Sequence, residues 1–518
     1  MREIKILWTD DEIDVLKSHI LFLREKGFVI ETATNGDDAI ELVKKTDFDL
    51  IFLDENMPGL SGLETLKIIK NLAPDIPVIM ITKSEEENIM DEAIGSKIND
   101  YLIKPVNPHQ ILHSIKKNID QKRLVTEKTT SDYQSEFGKI SGKINSARGF
   151  SDWVKIYRDL VYWQLELQKS GDESMAEVLF LQETEANNEF GKFIKANYAS
   201  WFDEPETDKP LLSPDLFGQK IIPLLDKGNK VVLILVDNLR FDQWKAIYPS
   251  ITDYFRVEQE EIYCSILPTV TQYSRNAIFA GLMPSKIQQL YPELWVFDEE
   301  EKGKNLWESE LLEKQFDRIS KTYPFSYEKI TNLAAGKKLV ENLSDHLQRP
   351  LMVAVYNFID MLSHARTEME VIRELANDES AYRSLTMSWF QHSSLLDLIK
   401  TLAGHDIKLI ITTDHGSVRV QDPVKVVGDR NTSTNLRYKH GRNLDYDPKA
   451  VFESKEPEKI LLPKSNVSSR YIFALKDEFF AYPKNYNHYV KYYRNTIQHG
   501  GISMQEMLIP FIVLSPAG

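Results

Sequence analysis

Five polar residues in the first part of the chain stand where apolar runs end. Asp10 and Asp11 follow Ile4–Trp8, Asp54 follows Leu50–Leu53, Thr82 follows Val78–Ile81, and Lys104 follows Tyr101–Ile103. Three clustered carboxylates repel one another unless a hard cation neutralises them, and Mg²⁺ takes oxygen ligands of this kind. With the charge balanced, one carboxylate can attack a phosphoryl donor while Lys104 and Thr82 hold phosphoryl oxygens.

A second set is spread over the C-terminal half. The apolar run Val231–Val236 leads into Asp237-Asn238, and Val353–Phe358 leads to Asp360 with His364 four residues on. Leu409–Thr412 leads into Asp414-His415-Gly416, and His499-Gly500-Gly501 lies near the end. Mixed carboxylate and imidazole suits Zn²⁺ or Mn²⁺ better than Mg²⁺. Six ligands exceed one tetrahedral ion but fit two ions about 4 Å apart, the spacing used for in-line phosphoryl displacement. Thr271 opens the helical pattern Tyr273–Ala280, where exposed N–H groups and the helix dipole favour a phosphate. A metal beside its hydroxyl would make it a nucleophile. Each residue alone has a plainer reading, such as a helix cap for Thr271 or a polar turn for Asp414-His415; the ordered conjunction carries the expectation.

These residues need a scaffold that brings strand ends together. Residues 1–120 alternate short apolar runs with helical periods such as Asp14–Lys26, Gly36–Lys45 and Gly62–Leu72, which predicts a doubly wound, flavodoxin-like parallel sheet. A helical bundle is expected over 121–214. It contains the polar stretch Thr126–Ser135, the amphipathic run Trp153–Leu167 and a segment Ser174–Trp201, followed by Pro205, Pro210 and Pro214. A larger α/β domain is expected over 215–518, with buried parallel strands at Lys230–Val236, Leu351–Asn357 and Lys408–Thr412. Two insertions, acidic Asp298–Phe316 and irregular Gly416–Leu462, are expected to wall its pocket.

The first constellation resembles the receiver domain of bacterial response regulators over residues 1–120. That resemblance implies phosphorylation of Asp54 by a sensor histidine kinase. It further implies Mg²⁺ on Asp11, Asp54 and the Asn56 carbonyl with Asp10 through water, and a Thr82/Tyr101 switch beside Lys104. Lys83 departs from the family, which has a small residue there, and is expected to restrict access to the phosphate. The second constellation resembles the PglZ-type branch of the alkaline phosphatase superfamily over 215–518. It implies one zinc among Asp237, Thr271, Asp414 and His415, a second on Asp360, His364 and His499, and Thr271 as nucleophile. Threonine at that place leans towards phosphodiester hydrolysis of nucleotides or oligonucleotides. The whole arrangement resembles the receiver–PglZ regulators of Bacteroidetes associated with type IX secretion, implying dimerisation on phosphorylation and a link to a sigma factor.

The 518 residues carry 63 Lys+Arg against 78 Asp+Glu, a net charge of −15, which disfavours direct binding of duplex DNA. No apolar run is long enough to span a membrane and the start does not read as a signal peptide, so a cytoplasmic protein is expected. The single cysteine, Cys264, excludes a disulfide framework. Arg240, Arg275, Arg437, Lys439 and His440 are candidates for contact with substrate phosphate. The rival to an enzyme is a zinc-stabilised scaffold that the receiver switches and that catalyses nothing. A scaffold has no need of a placed nucleophile.

Overall fold

The computed structural model describes residues 4–517 except 75, 84–97, 204–208, 298–302, 304, 377, 430–431, 465 and 467; the side chains of 120–125 and 370 are also outside the description. Pro205 and the first residues of the acidic insertion therefore lie outside the described residues. The chain divides into two compact units, Met1–Tyr133 with Ser170–Asp172, and Gln134–Lys169 with Glu173–Gly518.

In the first unit, β1 (Lys5–Thr9), β2 (Val29–Ala33), β3 (Leu50–Asp54), β4 (Val78–Thr82) and β5 (Asp100–Ile103) form one parallel sheet in the order β2-β1-β3-β4-β5. This is the flavodoxin-like order, in which ligands bind beyond the C-terminal strand ends. The middles of β1, β3 and β4 are apolar and buried because helices cover both faces, so polar residues are confined to the strand ends. The helices start where local chemistry allows. α2 (Gly36–Lys45) begins at Asn35, whose side chain accepts from the Asp38 N–H, and α3 (Gly62–Leu72) begins with a Ser61/Glu64 capping box.

One helix runs from Pro108 to Ser146, through the boundary expected at 120/121. It includes the polar stretch Thr126–Ser135, in which only Glu127, Lys128 and Gln134 are strong helix formers.

In the second unit, β6 (Val231–Val236), β7 (Phe255–Cys264), β8 (Phe325–Ile330), β9 (Leu351–Tyr356) and β10 (Lys408–Thr412) join the C-terminal strand Leu508–Pro516. Their order is β7, C-terminal strand, β10, β6, β9, β8. β10, β6, β9 and β8 are parallel, while the C-terminal strand runs antiparallel to both β10 and β7. The central strands are fully buried, as their unbroken apolar runs require.

The helices Phe150–Ser170 and Glu173–Asn197 belong to this unit and pack on its sheet. Arg158 donates to the Glu260 carboxylate at 2.6 Å, the Tyr157 ring lies 6.0 Å from Phe241, and Asn187 donates to Gln505 at 3.0 Å. Arg383 donates to Gln168 at 3.0 and 2.8 Å, and the Leu267 N–H donates to the Tyr198 hydroxyl at 2.8 Å. Trp153, Tyr157, Leu160 and Trp163 are each at most 8 % exposed. This aromatic stripe of the bundle is therefore covered within the chain.

Candidate metal centres and nucleophile

At the C-terminal edge of the first sheet, carboxylate oxygens of Asp10, Asp11 and Asp54 lie within 4.8 Å of one another. Lys104 Nζ stands 2.8 Å from Asp10 and 3.0 Å from Asp54, so one cation faces three carboxylates. Burial raises the Asp54 pKa against the pull of Lys104, and the neighbouring Asp10 and Asp11 raise it further. For Lys104, burial alone would lower the pKa, but the bonds to Asp10 and Asp54 raise it. Thr82 ends β4 and is buried, Asn56 is exposed just after β3, and Tyr101 on β5 is 37 % exposed. Lys83 pairs with Glu12 at 3.0 Å, both side chains more than half exposed, and both residues line a cavity of about 420 Å³ that also takes in Asp10 and Lys104.

The second sheet gathers residues from far apart in the chain. Ligand atoms of Asp237, Asp414 and His415 lie within 4.8 Å of one another, and so do those of Asp360, His364 and His499. Asp237 follows β6 and Asp414 and His415 follow β10, so the parallel pairing of these strands aligns their ends. Asp360 and His364 are one turn apart on the helix Phe358–Glu368, with Asp360 Oδ2 3.5 Å from His364 Nε2. The two clusters abut: the His415 and His499 rings stack with centroids 4.4 Å apart.

Backbone geometry aims these groups. Asn238, at φ +64, takes the left-handed conformation as the chain leaves β6. Its N–H approaches Asp414 Oδ1 at 3.5 Å and its Nδ2 approaches Asp360 Oδ1 at 3.5 Å, joining the two clusters. Gly500, at φ +122, turns the chain after His499, and a Cβ there would meet Tyr438 at 2.8 Å. Gly416 passes so close to the Gln505 carbonyl that a Cβ would lie 2.0 Å from it.

Thr271 is the first residue of the helix Thr271–Ala280, and Val270 occupies the cap position. Its hydroxyl is therefore not spent on the helix end. Thr271 Oγ1 lies 3.3 Å from Asp237 Oδ1 and 3.2 Å from His415 Nε2.

The donor set fits divalent cations. His415 Nδ1 lies 3.0 Å from the Gly416 carbonyl and His499 Nδ1 lies 3.2 Å from the Thr269 carbonyl. A carbonyl only accepts, so each ring carries its proton on Nδ1 and turns the Nε2 lone pair inward. His415 Nε2 is then 3.6 Å from Asp237 Oδ1 and His499 Nε2 is 3.5 Å from Asp360 Oδ1, lone pairs opposed. A cation between them would satisfy both lone pairs. Burial and the nearby His415 push the His499 pKa down to about 3, keeping the ring neutral. The buried Asn238 Oδ1 has no hydrogen-bond partner. Burial raises Asp237, as do Asp414 and Asp360, while Arg275 opposes them. Burial would raise Asp414 as well, but Arg275 and His415 lower it.

Three of the residues expected to meet substrate are committed elsewhere. Arg275 is wholly buried and pairs with Asp237, with Asp414 at 3.0 Å and with Glu308 at 3.5 Å. Arg240 is 2 % exposed and binds Asp242 at 2.7 Å and Glu379 at 2.6 Å. Arg437 is buried against Glu506 at 2.6 Å. Buried guanidinium groups sit beside carboxylates because unpaired burial is too costly. His440 stacks on Tyr471 with centroids 4.2 Å apart. Lys439 lines a cavity.

Arg275 as a clamp on two candidate ligands, and Glu308 behind it, are not apparent from motif spacing. A signal was present: Arg275 is four residues after Thr271, on the same helix face. Glu308 also takes a bond from Lys329 at 2.9 Å, so a second cation shares its charge while Arg275 stays paired with Asp237 and Asp414.

Three family models match the chain in succession. The response regulator receiver domain covers residues 6–116, the PorX response regulator linker domain 123–202, and the BREX system PglZ alkaline phosphatase-like domain 216–514. The transcriptional regulatory protein ZraR of Klebsiella oxytoca is 33 % identical over 138 residues, 27 % of this chain and 31 % of its own. The transcriptional regulatory protein ResD of Bacillus subtilis is 33 % identical over 114 residues, 22 % of this chain and 47 % of its own. The match thus spans a third to a half of these relatives' length. Among solved structures, a CheY-like receiver domain from Methanospirillum hungatei is similar at 27 % identity and TM-score 0.23, over 23 % of this chain and 96 % of its own. A two-component response regulator from Clostridium difficile is similar at 31 % identity and TM-score 0.22, over 23 % of this chain and 97 % of its own. Among the described residues, no helix is long and apolar enough to cross a membrane.

Proposed function

Since the chain belongs to the PglZ family of alkaline phosphatase-like domains, joined to a receiver and linker in the order of a PorX-type response regulator, we propose that it is a phosphorylation-controlled, zinc-dependent phosphodiesterase acting on nucleotides or oligonucleotides. A sensor histidine kinase would supply the phosphoryl group to Asp54, with Mg²⁺ held by Asp10, Asp11, Asp54 and the Asn56 carbonyl.

One observation carries the reading: the Thr271 hydroxyl stands between Asp237 and His415, free of any capping duty. Asp237, Asp414 and His415 would hold one zinc, and Asp360, His364 and His499 the other. When bound, zinc supplies positive charge that lowers the hydroxyl pKa and stabilises the charge developing on phosphorus oxygens. Asp237 Oδ1 orients Thr271 Oγ1, which gives its proton to solvent and forms the new P–O bond as the leaving alkoxide departs; water then cleaves the Thr271 phosphoester and restores the hydroxyl. His415 and His499, fixed through Nδ1, keep their protons away from the reacting oxygen. The position of the helix N-terminus under Thr271 favours a bound phosphate.

The experiment is hydrolysis of bis(nitrophenyl) phosphate and of nitrophenyl phosphate, with metal analysis of the same preparation. The diester should be the better substrate, about two zinc ions per chain should be present, and Thr271→Ala should remove turnover by three orders of magnitude or more, roughly the loss seen when a nucleophile is deleted. A helix residue substitution of this kind leaves the fold intact. Turnover of Thr271→Ala at the wild-type rate would exclude the threonine as nucleophile. The scaffold reading has one observation in its favour, since Arg275 already offsets part of the cluster's charge. It is the reading to adopt if the zinc-loaded protein hydrolyses neither ester.

A further inference from the structure

The short strand Tyr438–Gly441 separates two different environments. Neighbouring side chains on a strand point to opposite faces. Tyr438 turns towards the nucleophile helix, with its ring 6.0 Å from Tyr273 and beside Gly500. Lys439 points the other way and lines a cavity of about 300 Å³ whose wall includes Thr434, Phe480, Tyr482, Tyr489 and Tyr493. This cavity is separate from the metal centres.

Its chemistry is specific. Lys439 Nζ donates to the Ser433 carbonyl at 2.8 Å, and among the described residues no carboxylate pairs with it. Burial pushes its pKa down to about 8. The one acidic residue on the wall, Asp429, lies within reach of the Thr432 hydroxyl at 3.4 Å. The rim is aromatic and exposed: Tyr482 is 48 % and Tyr489 36 % exposed, and the Tyr489 and Tyr493 rings lie nearly parallel, 13° apart. In a chain of net charge −15, the stretch from Phe479 to Gln505 contains no Asp or Glu and carries Lys484, Lys491 and Arg494. All three are exposed.

A half-buried ammonium that has no counter-ion among the described residues calls for an anion, and flat rings at the mouth offer stacking faces. Aromatic faces interleaved with basic side chains are the means by which proteins bind unpaired nucleotides without reading their sequence. An acidic peptide would satisfy Lys439 but leave the tyrosines unused. We propose that this cavity is an accessory site for one nucleotide unit, its base stacked on Tyr489 and Tyr482 and its phosphate on Lys439. The inference does not require the metal centres to be active. A net-acidic chain can hold a single strand here because the charge is local.

The test uses the full chain and a fluorescent oligothymidylate of about ten residues with a phosphorothioate backbone, followed by anisotropy. Tyr489→Ala and Lys439→Gln should each weaken binding roughly tenfold, in line with the loss of one stacked base or one phosphate contact, and Lys439→Gln should also flatten the salt dependence. Tyr489 is exposed, so its variant tests the site even if Lys439→Gln disturbs the fold. Zinc content and turnover of the small diester should be unchanged in Tyr489→Ala. Competition identifies the source of the nucleotide. Displacement by AMP means a free mononucleotide site, and displacement by unlabelled oligothymidylate alone means a subsite for a strand. Unchanged affinity in both variants, or displacement by polyglutamate as readily as by oligothymidylate, would overturn the proposal.

Discussion

The two sheets present the same problem, three carboxylates at the C-terminal ends of parallel strands, and handle it differently. In the receiver the balancing cation is Lys104, whose side chain keeps 13 % of its surface exposed and reaches Asp10 and Asp54 from the end of β5. In the PglZ domain it is Arg275, wholly enclosed, gripping Asp237 and Asp414 from behind while histidines face the front. A lysine on a flexible stem can leave its partners when a phosphoryl group arrives; a guanidinium locked among carboxylates cannot. The first pocket suits a cation and a phosphoryl group that come and go. The second suits resident ions, since its imidazoles are already fixed through their Nδ1 protons.

The sharpest way to break this comparison is to remove the two cations. Arg275→Met leaves Asp237 and Asp414 buried without a partner and should cost about 3–5 kcal/mol in urea unfolding of the chelator-treated protein. Lys104→Met should change the receiver's unfolding much less, because water reaches its site, while abolishing the response to acetyl phosphate. Equal losses in the two variants would mean that both cations are structural. The next effect concerns metal. His499→Ala should lower zinc by about one ion per chain, since it removes one of only three ligands, whereas Asp11→Ala should leave zinc untouched and remove Mg²⁺-dependent phosphorylation.

A buried carboxylate in the bundle extends the comparison. Burial pushes the Glu183 pKa up to about 8, and Gln164 donates to it at 2.5 Å. The folded state therefore keeps a proton that the unfolded chain releases near pH 4.5, so this residue's contribution to stability is full below that pH and falls as pH rises towards 8. Glu183→Gln should raise the melting temperature at pH 8 and leave it nearly unchanged at pH 5. The smallest effect is expected at Lys83. Its pair with Glu12 is more than half exposed at both ends, so Lys83→Ala should alter the lifetime of the aspartyl-phosphate by no more than a few-fold, followed by loss of radiolabel.

The receiver was nearly transparent in sequence because β1, β3, β4 and β5 each carry their chemistry on the last residue or just beyond it. Apolar run and polar stop are one local signal, and α2 and α3 begin and end as their periodicity predicts. The PglZ site was legible only in part. Strand ends disclosed Asp237, Asp414 and His415, and helical spacing disclosed Asp360 and His364. What stayed hidden was pairing between distant charges. Arg240, Arg275 and Arg437 read as cations for a substrate, yet each meets its carboxylates in the interior. Nothing local marks which arginines a fold will enclose. The C-terminal strand Leu508–Pro516 is likewise a plain apolar run whose antiparallel place beside β10 only the assembled sheet decides.

The bundle's grip on the catalytic sheet limits how this chain can be rearranged. A cut at residue 215, the natural seam by domain family, would take Arg158 from Glu260, Gln168 from Arg383 and Tyr198 from the Leu267 N–H at one stroke. Arg383 also holds Asp242 at 3.0 Å, and Asp242 in turn holds Arg240, three residues from Asp237. A fragment starting there would lose polar partners on a chain of contacts that ends beside the candidate metal ligand Asp237. The portable piece is therefore longer than the catalytic domain and starts with the bundle. An exchange of receivers that grafts a new input onto this output should join within the helix Pro108–Ser146, ahead of the bundle.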